Sequence, residues 1–192
     1  MSRINKSQFA ILGWLSKSHM SGYDLKQKLS KVSPFHWSES NAQIYPILKK
    51  LEEEGLVSSK LDTDSGARNR RIYLITSEGL KHLEEWLHEP VEMTQYREEL
   101  LLKLSLGERL DLDETLSHIQ EHQSQLLFQI RTLQQIKRHI DDEHKNKEDH
   151  RYLLFAHRYS EVVLEAKLKW CDEVLKALRE SAAAQSLSSK VS

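Results

Sequence analysis

The strongest constraint on the fold is an apolar residue at every seventh position of one segment, namely Leu112, Ile119, Leu126, Leu133 and Ile140. Seven residues make almost two helical turns, so these side chains lie on one face of a helix. The alternate seam positions are Leu116, Gln123, Ile130 and Lys137. Two of these, Gln123 and Lys137, are polar and interrupt the apolar seam. At 1.5 Å per residue the helix is about 45 Å long. This is longer than the preceding eighty or so residues would need to cover their own core. We therefore predict a long helix that packs against further helices.

A second long helix is predicted after the polar segment 141–149, ending near Ser181. It has two apolar stripes. One contains Tyr152, Phe155, Tyr159, Val162, Ala166 and Trp170, and the other contains Leu164, Leu168, Cys171, Leu175 and Leu178. Two apolar faces require two partners, and a second subunit is the economical source of one of them. We predict a homodimer whose interface includes Leu126, Ile130, Leu133, Tyr159, Val163 and Trp170.

Three short helices are predicted before residue 55, over Ser7–Ser16, from Ser21 to the Ser33–Pro34 stop, and around Ile44. The third has the clearest periodicity, because Ile44, Ile47, Leu48 and Leu51 form one buried face. Its start is open: Ser40 and Gln43 fit a capping box, whereas a start nearer Gln43 would relieve the strain from Pro46. Gly55 is its natural stop.

Two strands are predicted next, over Val57–Leu61 and Arg71–Ile75, with the turn at Asp64–Gly66. Thr76 then caps a fourth helix that ends by Pro90, and a short helix follows over Arg97–Leu106. The predicted fold is mainly α. It has a winged helix-turn-helix with a two-stranded wing over 1–90, an all-helical dimerisation domain over 91–181, and a disordered tail over 182–192.

The charge distribution suits a DNA-binding head. Residues 1–81 contain 13 Lys or Arg against 8 Asp or Glu, whereas residues 91–192 contain 15 against 18. Because Cys171 is the single cysteine, an internal disulfide framework is excluded. We recognise neither a secretory signal nor a run of about 20 apolar residues, so we expect a cytoplasmic protein without a membrane partner.

The candidate DNA contacts lie on the third helix and in the wing. Asn41 and Gln43 are assigned to base edges, and Tyr45 and Lys49 to phosphates. In the wing, phosphate contacts are assigned to Lys60, Arg68, Arg70 and Arg71. The same wing cations also guard a strand edge against pairing, and both roles are compatible. Glu39 is the awkward neighbour, because a carboxylate repels phosphate unless it accepts from a cytosine amino group.

The sequence patterns give little support for a metal site or for an enzyme active site. His118 and His122 have the i, i+4 spacing of a shared metal ion, but the heptad places His118 outward and no cysteine cluster accompanies them. We recognise no nucleophile elbow and no phosphate-binding glycine loop. We therefore expect no metal, no cofactor and no enzyme activity, and we interpret Cys171 as a buried small residue.

The first eighty residues resemble the PadR family of transcriptional regulators. The residues that carry the resemblance are Ser21–Leu25, Gln43–Leu48 with its Tyr45–Pro46 pair, Leu51–Val57, Arg71–Thr76 and Gly79. The C-terminal half is similar to the virulence-activator (AphA-like) α-helical domain, through Pro34–Trp37, Arg97–Leu100, Lys103–Leu104 and Trp170.

This resemblance implies a homodimer held by C-terminal helices and a regulator that is usually a repressor and sometimes an activator. In some members a phenolic acid releases the DNA, so a small aromatic effector is a further implied partner. We expect an aromatic-lined pocket between head and helical domain, with Trp14, Trp37 and Tyr96 as candidate lining residues or else as core residues.

The leading hypothesis is therefore an operator-binding repressor whose dimer places two third helices about 34 Å apart, one turn of double-stranded DNA. Two alternatives stay open. A winged-helix protein-interaction adaptor would show an exposed apolar patch on the third helix. A small-molecule or metal sensor would use DNA binding only secondarily.

Overall fold

The computed structural model describes residues 6–32, 41–62, 70–93 and 97–188. The chain divides into two compact units, residues 1–92 and 93–192, close to the domain boundary expected after residue 90. The first unit contains the helices and strands of the predicted head. In its described part, the regular secondary structure of the second unit is helical.

The head contains helices α1 (Ser7–Leu15), α2 (Gly22–Val32), α3 (Asn41–Glu53) and α4 (Ser77–His88). Helix α3 is described from Asn41 and continues through Pro46, whereas Ser40, the predicted cap, lies outside the described residues. Its end is as predicted, because Gly55 has a positive φ of 72° and Leu56 N–H donates to the Leu51 carbonyl at 2.9 Å.

Apolar faces of these helices form one core beneath the sheet. On α3 the predicted face is buried, and α1, α2 and α4 contribute the rest: Phe9, Ile11, Leu12, Leu15, Leu25, Leu29, Ile44, Ile47, Leu48, Leu51 and Leu83. Thr76 caps α4 as predicted, since its side chain accepts from Gly79 N–H at 3.0 Å. Trp86 of α4 stacks on Phe9 of α1, with ring centroids 4.3 Å apart.

Among the described residues the sheet has three strands, whereas the sequence predicts two. Strands β2 (Val57–Asp62) and β3 (Arg70–Ile75) form the predicted antiparallel hairpin, each one residue longer at the tip. The addition is β1 (Met20–Ser21), which pairs with β3 on its other side and gives the order β1-β3-β2. A two-residue strand has no periodicity of its own, so its sequence did not predict it.

The second unit is built on an antiparallel helical hairpin. After α5 (Glu99–Leu104) and a 3-10 turn (Gly107–Arg109), α6 spans Leu112–His144 and α7 spans His150–Ser188. Asp111 and Glu114 form a capping box that fixes the start of α6. Gln123 donates to Asp172 at 2.6 Å and His157 contacts the Leu133 carbonyl at 2.9 Å, so the start of α6 meets the end of α7.

Two expectations for this unit need correction. The last helix continues past residue 181 to Ser188, so a tail over 182–192 is wrong for most of its length, and residues 189–192 lie outside the described residues. The heptad positions Leu126 and Leu133 are 2% and 4% exposed within the single chain. They are internal to the helical hairpin and have no surface to offer a partner directly.

Candidate nucleic-acid interface

The outer face of α3 is polar and cationic. Gln43, Pro46, Lys49 and Lys50 are exposed there, opposite the buried face of the same helix. Lys49 pairs with Glu53 at 3.6 Å, and Lys50 pairs with Glu54 at 3.5 Å. Both are solvent-exposed pairs along the helix, which are weak and easily exchanged for another anion. The ammonium groups of Lys49 and Lys50 are therefore accessible to another anion along this face.

Tyr45 of α3 packs against the start of α2. Its ring lies against Gly22 at the start of α2, where a Cβ on Gly22 would be 2.7 Å from Cε1 of the ring. A Cβ at this position would force the Tyr45 ring to shift, so glycine suits this close approach. The side chain is still 49% exposed. One side of the ring thus rests on α2 while the rest of the side chain is accessible for the predicted phosphate contact.

Arg71 of the wing is already engaged by α3. Its Nη1 donates to Oε2 of Glu52 at 3.3 Å, and Oε1 of Glu52 accepts from the Ser59 hydroxyl at 2.5 Å. Ser59 lies opposite Tyr73 in the ladder, so these groups share the sheet face that carries buried Tyr73. Burial raises the pKa of the Tyr73 phenol, against a hydrogen bond from Arg71 that lowers it.

Arg70 is likewise engaged, but by α2. Its Nη2 donates to Oδ2 of Asp24 at 2.5 Å and to Oγ of Ser21 at 3.0 Å. Ser21 and Asp24 also cap each other: Ser21 N–H donates to Asp24, and Asp24 N–H donates to the Ser21 hydroxyl oxygen. Burial acts to raise the pKa of Asp24, but the hydrogen bonds from Ser21 and the Arg70 guanidinium outweigh it and lower that pKa.

The predicted contact residues therefore fall into three groups. Gln43, Tyr45, Lys49 and Lys60 are exposed on the α3 face and on β2. Arg70 and Arg71 are bound to carboxylates of the head, which the sequence analysis did not foresee. Arg68, Glu39 and the Asn41 side chain lie outside the described residues. No sequence signal given above pointed to Asp24 or Glu52 as the partners of these arginines.

The helical unit leaves one stripe of α7 uncovered. Leu164, Cys171 and Leu175 are buried against the rest of the hairpin, and burial raises the pKa of the Cys171 thiol. On the other stripe Tyr152, Phe155, Tyr159 and Val162 are exposed. Tyr159 is therefore accessible to a partner. Ile130, Val163 and Trp170, the other predicted interface residues, are half-buried.

A cavity of about 300 Å³ lies within the same unit, beside α5, α6 and α7. Leu100, Leu101, Ala166 and Trp170 form its apolar wall, and Glu98, His122 and Lys167 form its polar wall. Lys167 donates to Glu98 at 2.7 Å.

Of the three aromatic residues predicted to line an effector pocket, Trp14 packs against the core of the head and carries Lys17 over its ring at 4.7 Å. Trp37 and Tyr96 lie outside the described residues. Within the described part of the chain no group of three His, Cys, Asp or Glu side chains is arranged to hold a metal ion. The described helices include none with the length and apolar character of a membrane span.

Two family descriptions match consecutive parts of the chain. Residues 11–85 match the transcriptional regulator PadR-like family, and residues 96–179 match the virulence activator alpha C-terminal domain. The PadR-like match covers the head, and the virulence-activator match covers the helical unit. The predicted resemblance is thereby confirmed for both halves, and the head is a winged helix-turn-helix followed by the helical domain of this subgroup.

Known proteins of this kind include the negative transcriptional regulator PadR of Bacillus subtilis, which is 35% identical over 98 residues, 50% of this chain and 53% of that protein. The chain spans about half the length of the curated relatives it matches. A structure of Bacillus subtilis PadR with operator DNA has a TM-score of 0.79 at 23% identity and covers 92% of this chain and 99% of that one.

The same protein with p-coumaric acid gives a TM-score of 0.70 at 24% identity, over 90% of this chain and 98% of that one. These likenesses show the fold. The Vibrio cholerae virulence activator AphA has a TM-score of 0.74 at 25% identity, covering 91% of this chain and 98% of that chain.

Proposed function

We propose that this chain is a sequence-specific DNA-binding transcriptional repressor that acts as a homodimer on operator DNA. The observation that carries the proposal is the polar, cationic outer face of α3 beside the β2–β3 hairpin. In a winged helix-turn-helix the corresponding helix enters the major groove and the wing reaches the flanking backbone. The Bacillus subtilis relative is a negative regulator whose structure contains operator DNA, which supports the same role here.

The α3 face argues against the adaptor alternative. An adaptor that binds a protein through this helix would need a contiguous apolar patch. The exposed positions there include an amide, Gln43, and two ammonium groups, Lys49 and Lys50, with Tyr45 as the one large aromatic side chain. Because the proposed partner is operator DNA, we expect the protein in the compartment that holds the DNA, the cytoplasm.

A homodimer is supported by the uncovered α7 stripe. An exposed run of Tyr152, Phe155, Tyr159 and Val162 on a helix of this length is the kind of surface that a symmetric partner buries. The proposed interface therefore centres on Tyr159 and this stripe, with Ile130, Val163 and Trp170 at its margins. Leu126 and Leu133 support it from inside each subunit.

The test of function is selection of bound fragments from a random duplex pool with the purified full chain. A dimeric repressor should enrich one two-fold symmetric sequence, with half-site centres about one DNA turn, or 10–10.5 base pairs, or a multiple of that apart. Enrichment of no sequence over the input pool would contradict sequence-specific binding. Enrichment of single, unrepeated half-sites would contradict the dimer.

We further propose that a small aromatic effector binds the cavity beside Trp170. Its volume is at the lower end of the range for small-molecule pockets, and it combines an apolar wall with the Glu98–Lys167 pair. The Bacillus subtilis relative holds p-coumaric acid, which supports this ligand class. A panel of phenolic acids should quench tryptophan fluorescence in the wild type but not in Trp170→Phe. Equal quenching in both proteins would place the ligand elsewhere.

A further inference from the structure

Two adjacent arginines leave the wing on opposite faces of the sheet. Successive residues of a strand point to opposite sides, so Arg70 and Arg71 at the start of β3 diverge. Their partners follow the same division. Arg70 ends on Asp24 in the first turn of α2, and Arg71 ends on Glu52 in the last turn of α3. The wing is thus held by one carboxylate from each helix of the helix-turn-helix.

The α2 side of this arrangement is a closed set of contacts. Ser21 lies in β1 opposite Ile72, two residues from Arg70 along β3, so both side chains occupy one face. Its hydroxyl donates to Asp24 at 2.9 Å and accepts from Arg70 at 3.0 Å. The side chains of Arg70 and Asp24 are 42% and 39% exposed, so water and salt still reach the pair, and the Ser21 hydroxyl helps to fix its geometry by bonding to both side chains.

The α3 side is equally specific. Glu52 uses its two carboxylate oxygens separately, one for Ser59 of β2 and the other for Arg71 of β3. Ser59 and Arg71 lie on the same face of the hairpin, since Leu61 opposite Arg71 is two residues from Ser59. A single side chain of the recognition helix therefore bridges both strands of the wing.

This pairing changes how the two arginines relate to DNA. A guanidinium that is neutralised by a carboxylate offers little net charge to a phosphate, and the carboxylate itself repels DNA. Two acidic side chains near a proposed DNA surface therefore oppose binding through charge. If these acidic side chains favour DNA binding, they must do so by holding other groups in position.

We propose that Asp24 and Glu52 are positioning residues that fix the wing relative to α3, and that Arg70 and Arg71 influence operator binding through them. This inference rests on the proposed DNA-binding function and names residues that set its geometry. It replaces direct phosphate contact as the main role of the two arginines. Lys60, which is exposed on β2, keeps its predicted phosphate contact.

The inference predicts a change in operator affinity opposite to the change that charge alone predicts. Asp24→Asn and Glu52→Gln each remove one negative charge with almost no change of shape. Electrostatics alone predicts tighter binding to every duplex. Loss of positioning predicts weaker binding to the selected operator, by roughly tenfold as is usual for interacting groups, with binding to scrambled DNA unchanged or tighter. The control is Glu85→Gln, which removes the same charge from the exposed Lys81–Glu85 pair on α4.

The first measurement uses the free full-length protein, with folding checked by circular dichroism. Hydrogen exchange of backbone amides in 57–62 and 70–75 should accelerate in Asp24→Asn and Glu52→Gln but not in Glu85→Gln, while α1 exchanges as in the wild type. Unchanged exchange in the wing of both variants overturns the inference, whatever the protein binds. If the wild type binds no duplex at all, the proposed function fails while this exchange result stands.

The second measurement is a double-mutant cycle on the operator at several salt concentrations. If Arg70 acts through Asp24, the double variant Arg70→Met with Asp24→Asn binds no more weakly than the weaker single variant, and neither changes the salt slope. If Arg70 contacts a phosphate, Arg70→Met alone lowers the log–log slope by about one and the two effects add. That second result overturns the inference for Arg70.

Discussion

The exposed stripe on α7 makes Phe155 a direct test of the proposed dimer. Phe155 is 64% exposed in the single chain and lies between Tyr152 and Tyr159 on the same stripe. It makes an edge-to-face contact with Tyr152, with ring centroids 6.5 Å apart. Phe155→Ala therefore removes exposed apolar surface and leaves the buried face of α7 intact. We expect the variant to fold normally and to dimerise poorly.

The size of the effect follows from the exposed area. A phenylalanine side chain that can bury about 200 Å² has roughly 130 Å² left to bury, worth about 3 kcal/mol at about 25 cal/mol per Å². A two-fold interface contains the substitution twice, which gives an upper limit of about 6 kcal/mol. Because association has its own cost and packing is incomplete, we expect about half, near 3 kcal/mol, or a roughly hundredfold larger dissociation constant.

Sedimentation equilibrium over a concentration series measures this constant directly. The matched control is Leu87→Ala, because Leu87 is also 64% exposed but lies on α4 of the head. The control should dimerise as the wild type does. If Phe155→Ala and Leu87→Ala give the same dissociation constant as the wild type, the α7 stripe is not the interface. A monomeric wild type at micromolar concentration would refute the dimer itself.

Three further outcomes are expected. Gly79→Ala places a Cβ 2.0 Å from the Leu56 carbonyl oxygen, so it should lower the free energy of unfolding by at least about 2 kcal/mol. Thermal denaturation measures this loss, and an unchanged melting temperature would contradict the contact. Leu126→Ala should cost about 2–5 kcal/mol of stability while the folded protein keeps its dimer affinity, whereas the reverse pattern would restore Leu126 to the interface. Because the pKa of Asp24 is lowered in the folded state, its carboxylate stabilises the fold at pH values above the unfolded-state pKa. This stabilisation is lost as the pH falls through the folded-state pKa. Urea unfolding should therefore separate the wild type from Asp24→Asn at neutral pH and not in strong acid, and a difference that does not vary with pH would exclude this linkage.

Helical periodicity predicted most of this fold because it is a local property. The α3 face at Ile44, Leu48 and Leu51, the Thr76 cap and the two stripes of α7 can each be recognised within a few turns of chain. The structure confirms them. The stop at Gly55 is predictable for the same reason, since a left-handed residue after a helix favours glycine.

What the sequence did not predict depends on which distant groups meet. A heptad indicates that Leu126 and Leu133 need a partner helix, but it does not distinguish α7 of the same chain from a second subunit. The carboxylates that bind Arg70 and Arg71 are 46 and 19 residues away in sequence, on α2 and α3. Strand β1 forms because β3 offers an open edge to two residues before α2.

The central claim is that the outer face of α3 reads operator DNA. The most direct measurement is the affinity of Gln43→Ala and Lys49→Ala for the selected operator and for a scrambled duplex at several salt concentrations. The matched control is Lys81→Ala, since Lys81 and Lys49 are both exposed lysines in helical ion pairs. We predict that Gln43→Ala costs about 1–3 kcal/mol on the operator alone. Lys49→Ala should lower the salt slope by about one on both duplexes, with no change in Lys81→Ala. If all three variants bind as the wild type does, α3 does not face DNA and the account is contradicted.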